Sequence, residues 1–291
     1  MSATTYALLP VFTTQVFNAG VSINTLLFFR FLMAALCLWG IVIAIKCPWR
    51  LTRQQVMVLI PATLVGYCVN ALAFFYAYTL ISPSMATILF YLYPFFVLMF
   101  EVMVQRLPVM WHKTLALVLA FAGMLCIIWD GDTTLNLLGV GLSVLAGVCY
   151  ACFCSSLNTK ALQGVSAYTL SAYVTTLSAV VFFGLSLFNH DPLMIETPDG
   201  WFYTVLIAII CTVLATVTIY TAIQWIGASS ASIIATVEPV IVFLFGFIFL
   251  GEKLTVNIAL GIVLVVGGLL IMQWPEVRKM LMKKPQGLET D

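Results

Sequence analysis

Charge is what this sequence has least of. Only 8% of its 291 residues are Asp, Glu, Lys or Arg, against about 25% in ordinary soluble domains. So few charges cannot cover a water-exposed surface, and with 63% hydrophobic residues the solvent that tolerates this chain is lipid. The net charge is +1, so no global field points to nucleic acid, and none is expected as a partner. Histidine is scarce as well: His112 and His190 are the two present, and both fall in expected loops. There is no Gly-x-Ser-x-Gly elbow, no His-Glu-x-x-His pair and no pair of aspartates on one helix, which removes the common routes of nucleophilic and metal-assisted catalysis. An enzyme is therefore not expected. A receptor or scaffold would carry a soluble domain or a long charged tail, whereas 17 residues follow Trp274. A basic n-region with a small-residue cleavage site is also missing at the start, so no cleavable signal peptide is expected.

Cysteine is present, at eight positions. Most lie in apolar runs, where they read as small buried hydrophobes. Cys149, Cys152 and Cys154 would share one apolar helix with no histidine nearby, so no metal site and no cofactor are expected.

A membrane-crossing helix needs about 20 mostly apolar residues. Nine candidates stand out, at 24–45, 56–79, 84–104, 114–129, 135–156, 168–188, 201–225, 229–250 and 256–274. A tenth, at 6–17, is apolar but short and contains Pro10. If the 46–53 loop is cytoplasmic, ten loop or tail cations fall inside and only Lys253 outside, which the positive-inside rule favours. Both termini are then cytoplasmic, provided the short first segment spans.

The chain also repeats itself. Shifted by 145 residues, 82–129 aligns with 227–274 at twelve identities, among them Pro94/Pro239, Gly123/Gly268 and Trp129/Trp274. Near the start a shift of 144 fits better, pairing Tyr6-Ala7 with Tyr150-Ala151, Gly20-Val21-Ser22 with Gly164-Val165-Ser166, and Thr25-Leu26 with Thr169-Leu170. Five helices per half is an odd number, so the second half enters the membrane from the opposite side, an architecture common in secondary transporters. The expected fold is an all-α integral membrane protein of about ten transmembrane helices in two inverted five-helix repeats, 1–130 and 135–275, followed by a cytoplasmic tail at 276–291. The helix containing Tyr150 begins near Leu135, and its first-half counterpart would begin before Met1. The first helix is thus two to three turns short at about 3.6 residues per turn, through either a late start codon or a natively short helix.

Several motifs together resemble the EamA-type transporters of the drug/metabolite transporter superfamily. These are Gly20-Val21-Ser22 followed by Leu27-Phe28-Phe29-Arg30-Phe31-Leu32-Met33-Ala34-Ala35, the paired Tyr93-Pro94 and Glu238-Pro239, and Leu250-Gly251-Glu252-Lys253-Leu254 leading into Gly261 and Val266-Gly267-Gly268. The first half departs from the pattern at Glu101-Val102-Met103-Val104-Gln105-Arg106, where Glu101 comes more than one turn early. The resemblance implies a ten-helix transporter of small metabolites, often an exporter of amino acids or related compounds. It further implies a central cavity between the halves, a lipid bilayer and a small-molecule substrate as partners, and a prokaryotic inner (plasma) membrane as location.

Charges inside the membrane are the sharpest site signals. One costs about 2.5–3.5 kcal/mol at a helix centre on insertion scales, so it faces protein or water. Glu238 falls mid-helix beside Pro239, whose missing N–H frees a backbone carbonyl, so it is a candidate to bind a cation, a proton or a substrate ammonium. Arg30 has three readings: pairing with a carboxylate, binding a substrate carboxylate, or snorkelling to the interface. A structural charge is the preferred one. Pro94 and Pro239 interrupt helices at matching points of the two halves, which marks a hinge or a midplane site. Around them Asn70, Tyr67, Tyr91, Tyr93, Tyr150, Thr212, Thr216 and Tyr220 are candidate substrate- or proton-binding residues. Gly139, Ser143, Gly147 and Ala151 form a small-residue stripe that permits close helix approach, within a monomer or across a homodimer. The alternative to transport is a shortened homologue that acts as a non-transporting membrane binding protein.

Overall fold

The computed structural model describes residues 6–93, 95–97, 99–100, 111–128, 136–157, 159, 161–162, 164–215, 217–218, 238–251, 255–272 and 274. Every regular element among them is helical. In chain order these are α1 (Leu9–Asn18), α2 (Ile23–Ala44), α3 (Arg53–Pro61), a π-helical segment (Ala62–Cys68), α4 (Val69–Leu80), α5 (Pro83–Phe90), α6 (Trp111–Ile128), α7 (Leu137–Leu157), α8 (Ala167–Phe188), α9 (Pro198–Ala208), a second π-helical segment (Ile209–Leu214), α10 (Glu238–Leu250) and α11 (Val256–Met272). Among the described residues four continuous helical stretches are long and apolar enough to cross a membrane: Ile23–Ala44, Arg53–Leu80, Leu137–Leu157 and Ala167–Phe188. Shorter apolar helices accompany them.

Polar caps mark where several of these helices begin. Ser22 accepts the Thr25 N–H, Thr52 and Gln55 form a reciprocal capping box, Ser82 accepts the Met85 N–H, and Thr197 accepts the Gly200 N–H. Each cap meets a backbone donor that has no partner within its own helix. Between the caps the outward faces are apolar: Leu36, Ile43, Val118, Phe121, Val180, Ile248 and Val263 are all more than half exposed. An apolar outer face of this extent belongs against lipid.

The two halves interlock. α2 packs along α8, α4 along α7, α6 along α11, and α1 against α9. The 144-residue repeat reappears as geometry at four points. Gly20 and Gly164 both have positive φ, +79° and +88°, and Lys46 and His190 hold φ of 54° and 55° at the exits of α2 and α8. The Thr25 hydroxyl donates to the Pro192 carbonyl at 2.8 Å, and the Thr169 hydroxyl donates to the Pro48 carbonyl at 2.9 Å. Each threonine stands at the start of one helix and each proline just beyond the end of the other. α2 and α8 therefore run antiparallel and are clasped at both ends. At one end Asn24 Nδ2 also donates to Asp191 Oδ2 at 2.6 Å, and at the other the Tyr173 hydroxyl donates to the Trp49 carbonyl at 3.0 Å.

The small-residue stripe of α7 packs within the monomer. A Cβ on Gly139 would lie 2.8 Å from Ile81 Cγ2 and 2.9 Å from Leu80 Cβ, and one on Gly147 would lie 3.1 Å from the Phe90 carbonyl oxygen. Gly123 allows a similar approach of α6 to the Gly261 carbonyl of α11, at 2.8 Å from an added Cβ.

Candidate functional site

The two π-helical segments occupy matching places in the halves, Ala62–Cys68 in the first and Ile209–Leu214 in the second. A π turn widens the backbone spiral, leaves a carbonyl differently aimed, and is frequent at functional sites. The first packs on α7 and α8, the second on α2. In the second, the Thr212 hydroxyl donates to the Ile207 carbonyl five residues back at 3.1 Å, and accepts the Arg30 Nε–H at 3.0 Å. A side chain of the first half is thereby tied to the widened turn of the second.

Arg30 is 7% exposed, which rules out snorkelling to the interface. Its Cζ lies 5.3 Å from the ring centroids of both Phe31 and Phe75, a cation–π arrangement that offsets some of the cost of burying the charge. From Phe31 a chain of rings crosses the interior. Phe31 meets Tyr67 at 5.7 Å, Tyr67 meets Phe153 at 5.1 Å, and Phe153 meets Tyr150 at 6.2 Å. Tyr150 stands edge-on to Tyr93 at 4.9 Å, and Tyr93 lies 6.1 Å from Tyr91.

At the far end of this chain Tyr91 shares a side-chain hydrogen bond with Glu238. Protein surrounds Glu238 densely, yet part of its surface stays accessible, the combination expected of a group that lines an internal space. Glu238 also lies within electrostatic range of Tyr78, Tyr93 and Cys211, and Arg30 reaches Tyr78 and Cys211 as well. Arg30 and Glu238 thus act on the same two side chains.

Of the residues singled out from sequence, Tyr67, Tyr91, Tyr93, Tyr150, Thr212, Arg30 and Glu238 fall in this connected group. Asn70 is buried at 8% exposure, and its Oδ1 has no hydrogen-bond partner among the described residues. Tyr91 sits where α5 ends rather than inside a continuous helix. Thr216, Tyr220 and Pro94 lie outside the described residues, as does the Pro239 side chain, although the Pro239 backbone belongs to α10. Sequence reasoning missed Tyr78, whose buried hydroxyl pairs with Thr87 Oγ1 at 3.0 Å, and the rings Phe31 and Phe75 beside the guanidinium. Phe31 was legible only as the neighbour of Arg30. Phe75 and Tyr78 carried no signal beyond helical spacing from Tyr67.

The sequence profile of the EamA-like transporter family matches residues 1–129 and 137–274. A solved structure titled "Crystal structure of protein" is similar at a TM-score of 0.65 and 14% identity, covering 94% of this chain and 95% of its own. At that identity the likeness concerns the fold alone. No curated protein matches.

Proposed function

The chain belongs to the EamA-like transporter family, and on that premise we propose that it is a secondary transporter of small metabolites, working by alternating access around a cavity near the middle of the membrane. Amino acids or related compounds are the proposed cargo and export the proposed direction. The proposed setting is a prokaryotic inner membrane with both termini in the cytoplasm, and the proposed moving units are the repeats 1–130 and 135–275. Glu238 is the group that exchanges a proton or a cargo cation, and Tyr67, Tyr91, Tyr93, Tyr150, Asn70 and Thr212 line the path, with Thr216 and Tyr220 completing it. Pro94 and Pro239 serve as the hinges.

The observation that carries this reading is Glu238 itself, the first residue of α10 among the described residues. A carboxylate enclosed among apolar helices is costly. Here it is enclosed by protein, bonded to a tyrosine hydroxyl of the other half, and still accessible. A purely structural glutamate gains most by full burial among several donors. One with a hydroxyl partner and residual access is placed to release that partner for a ligand.

The test is uptake and counterflow of labelled amino acids in proteoliposomes, with and without an imposed pH gradient. Wild type moves cargo and responds to the gradient, whereas Glu238→Gln stays monodisperse and loses the response. An unchanged response rejects the role of Glu238. Binding of cargo without any flux favours the non-transporting binding protein instead.

A further inference from the structure

We propose that Arg30 is a carboxylate receptor: its terminal guanidinium nitrogens bind the anionic group of the cargo, so that the transported compound carries a carboxylate. The inference rests on the transporter reading only in calling that ligand the cargo.

A guanidinium carries five N–H donors in a planar fork. In Arg30 the Nε–H is used by Thr212 at 3.0 Å, and the four on the terminal nitrogens have no acceptor among the described residues. No carboxylate among the described residues forms an ion pair with it. Meanwhile 93% of the side chain's possible exposure is removed by packing, its exposure being 7%. A charge buried in a low-dielectric interior without an anion is strongly unfavourable, and two ring faces at 5.3 Å recover only part of the difference. If Arg30 merely stapled α2 to the second π-helical segment, a neutral donor would serve and would spare the uncompensated charge.

The geometry also selects the ligand. Thr212 fixes Nε, and Phe31 and Phe75 flank the guanidinium, so its plane is set before any ligand arrives. A preset planar fork matches a carboxylate through two parallel hydrogen bonds. A single positive charge balances one carboxylate, whereas a doubly charged phosphate would call for a second cation. Arg30 is the one Lys or Arg placed away from the helix ends among the described residues. Glu238 and Arg30 both act electrostatically on Tyr78 and Cys211, so a second negative charge on the cargo would be disfavoured there. The pattern therefore suits a compound that carries its negative charge at one end.

The test uses the full chain in detergent or nanodiscs and two matched probe pairs, benzoate with benzamide and acetate with acetamide, read by equilibrium binding and thermal shift. Wild type should bind the carboxylate of each pair at least tenfold more tightly than its amide. Arg30→Gln should erase that preference, and Arg30→Lys, which keeps the charge without the fork, should fall between. Should Arg30→Gln fail to fold, Thr212→Val releases the Nε clamp while keeping the charge, and the preference should shrink severalfold. Equal binding of acid and amide by wild type, or a full preference retained in Arg30→Gln, overturns the proposal. Transport without a carboxylate preference would defeat this inference and leave the transporter reading standing, whereas Arg30-dependent carboxylate binding without flux would do the reverse.

Discussion

Replacing Thr25 and Thr169 by valine, singly and together, tests the repeat at the level of individual hydrogen bonds. Valine keeps the shape of threonine and removes the hydroxyl that reaches across to Pro192 or Pro48. Both threonines are almost fully buried, at 1% and 0% exposure, so each substitution leaves a proline carbonyl without this donor. A net hydrogen bond contributes about 0.5–1.5 kcal/mol, and each variant should lose roughly that much. Thr25→Val should cost at least as much as Thr169→Val, because Thr25 also accepts the Ser22 hydroxyl at 2.9 Å. The clasps lie at opposite ends of helices of 22 residues, about 33 Å apart at 1.5 Å per residue. At that distance losses add to within about 0.5 kcal/mol, so the double variant should lose the sum. Unfolding in mixed micelles, followed by tryptophan fluorescence, supplies the free energies. A silent single variant, or a coupling well above that margin, would refute the reasoning that the two bonds are equivalent and independent.

Four further outcomes are expected. Gly66→Ala should destabilise by about 1–3 kcal/mol, because its new Cβ would sit 2.8 Å from Phe153 Cβ and 3.0 Å from Phe153 backbone atoms. Gly141→Ala, which meets nothing within 4 Å, should be neutral or stabilising in the same melts. Tyr91→Phe removes the hydroxyl partner of Glu238 and should alter gradient-driven flux in proteoliposomes while leaving the melting temperature nearly unchanged; wild-type flux across the whole pH range would show the bond to be idle. Cysteines engineered at Arg50 and Lys160 should label from the same side of the membrane and one at Asp191 from the other, and labelling of Arg50 and Lys160 from opposite sides would overturn the antiparallel arrangement of the halves.

Much of the helix layout was legible because a membrane helix announces itself by length and apolarity. The expected 24–45 and 168–188 fall within a residue of the observed Ile23–Ala44 and Ala167–Phe188. Gly20/Gly164 and Thr25/Thr169 were visible as matching letters, and each has proved to be a matching conformation or bond. The π-helical segments were not legible. Pro61 precedes the first, but no proline lies at the equivalent point before the second, so composition does not mark them. They arise from a shifted hydrogen-bond register that packing against neighbouring helices selects. Burial of Arg30 was hidden for the same reason: its depth depends on Phe75 and Thr212, which are 45 and 182 residues away in the chain.

The repeat is faithful where the protein is scaffold and broken where it carries charge. Threonine clasps, positive-φ turns and π-helical segments all occur twice. Arg30 has Val174 as its counterpart at the 144-residue shift, and Glu238 has Tyr93 at the 145-residue shift. If transport exchanges the conformations of two such halves, a feature present in both is conserved by the exchange: Thr25 and Thr169 trade roles, and the number of hydrogen bonds is unchanged. Arg30 and Glu238 have no partner to trade with, so their surroundings must differ between the two states. An interaction free energy that differs between states is what allows a ligand or a proton to shift their balance. The asymmetric charges are therefore the residues through which cargo can drive the exchange. It follows that Arg30→Gln and Glu238→Gln should change the ratio of inward-open to outward-open protein, read by cysteine accessibility from each side, far more than Thr169→Val does.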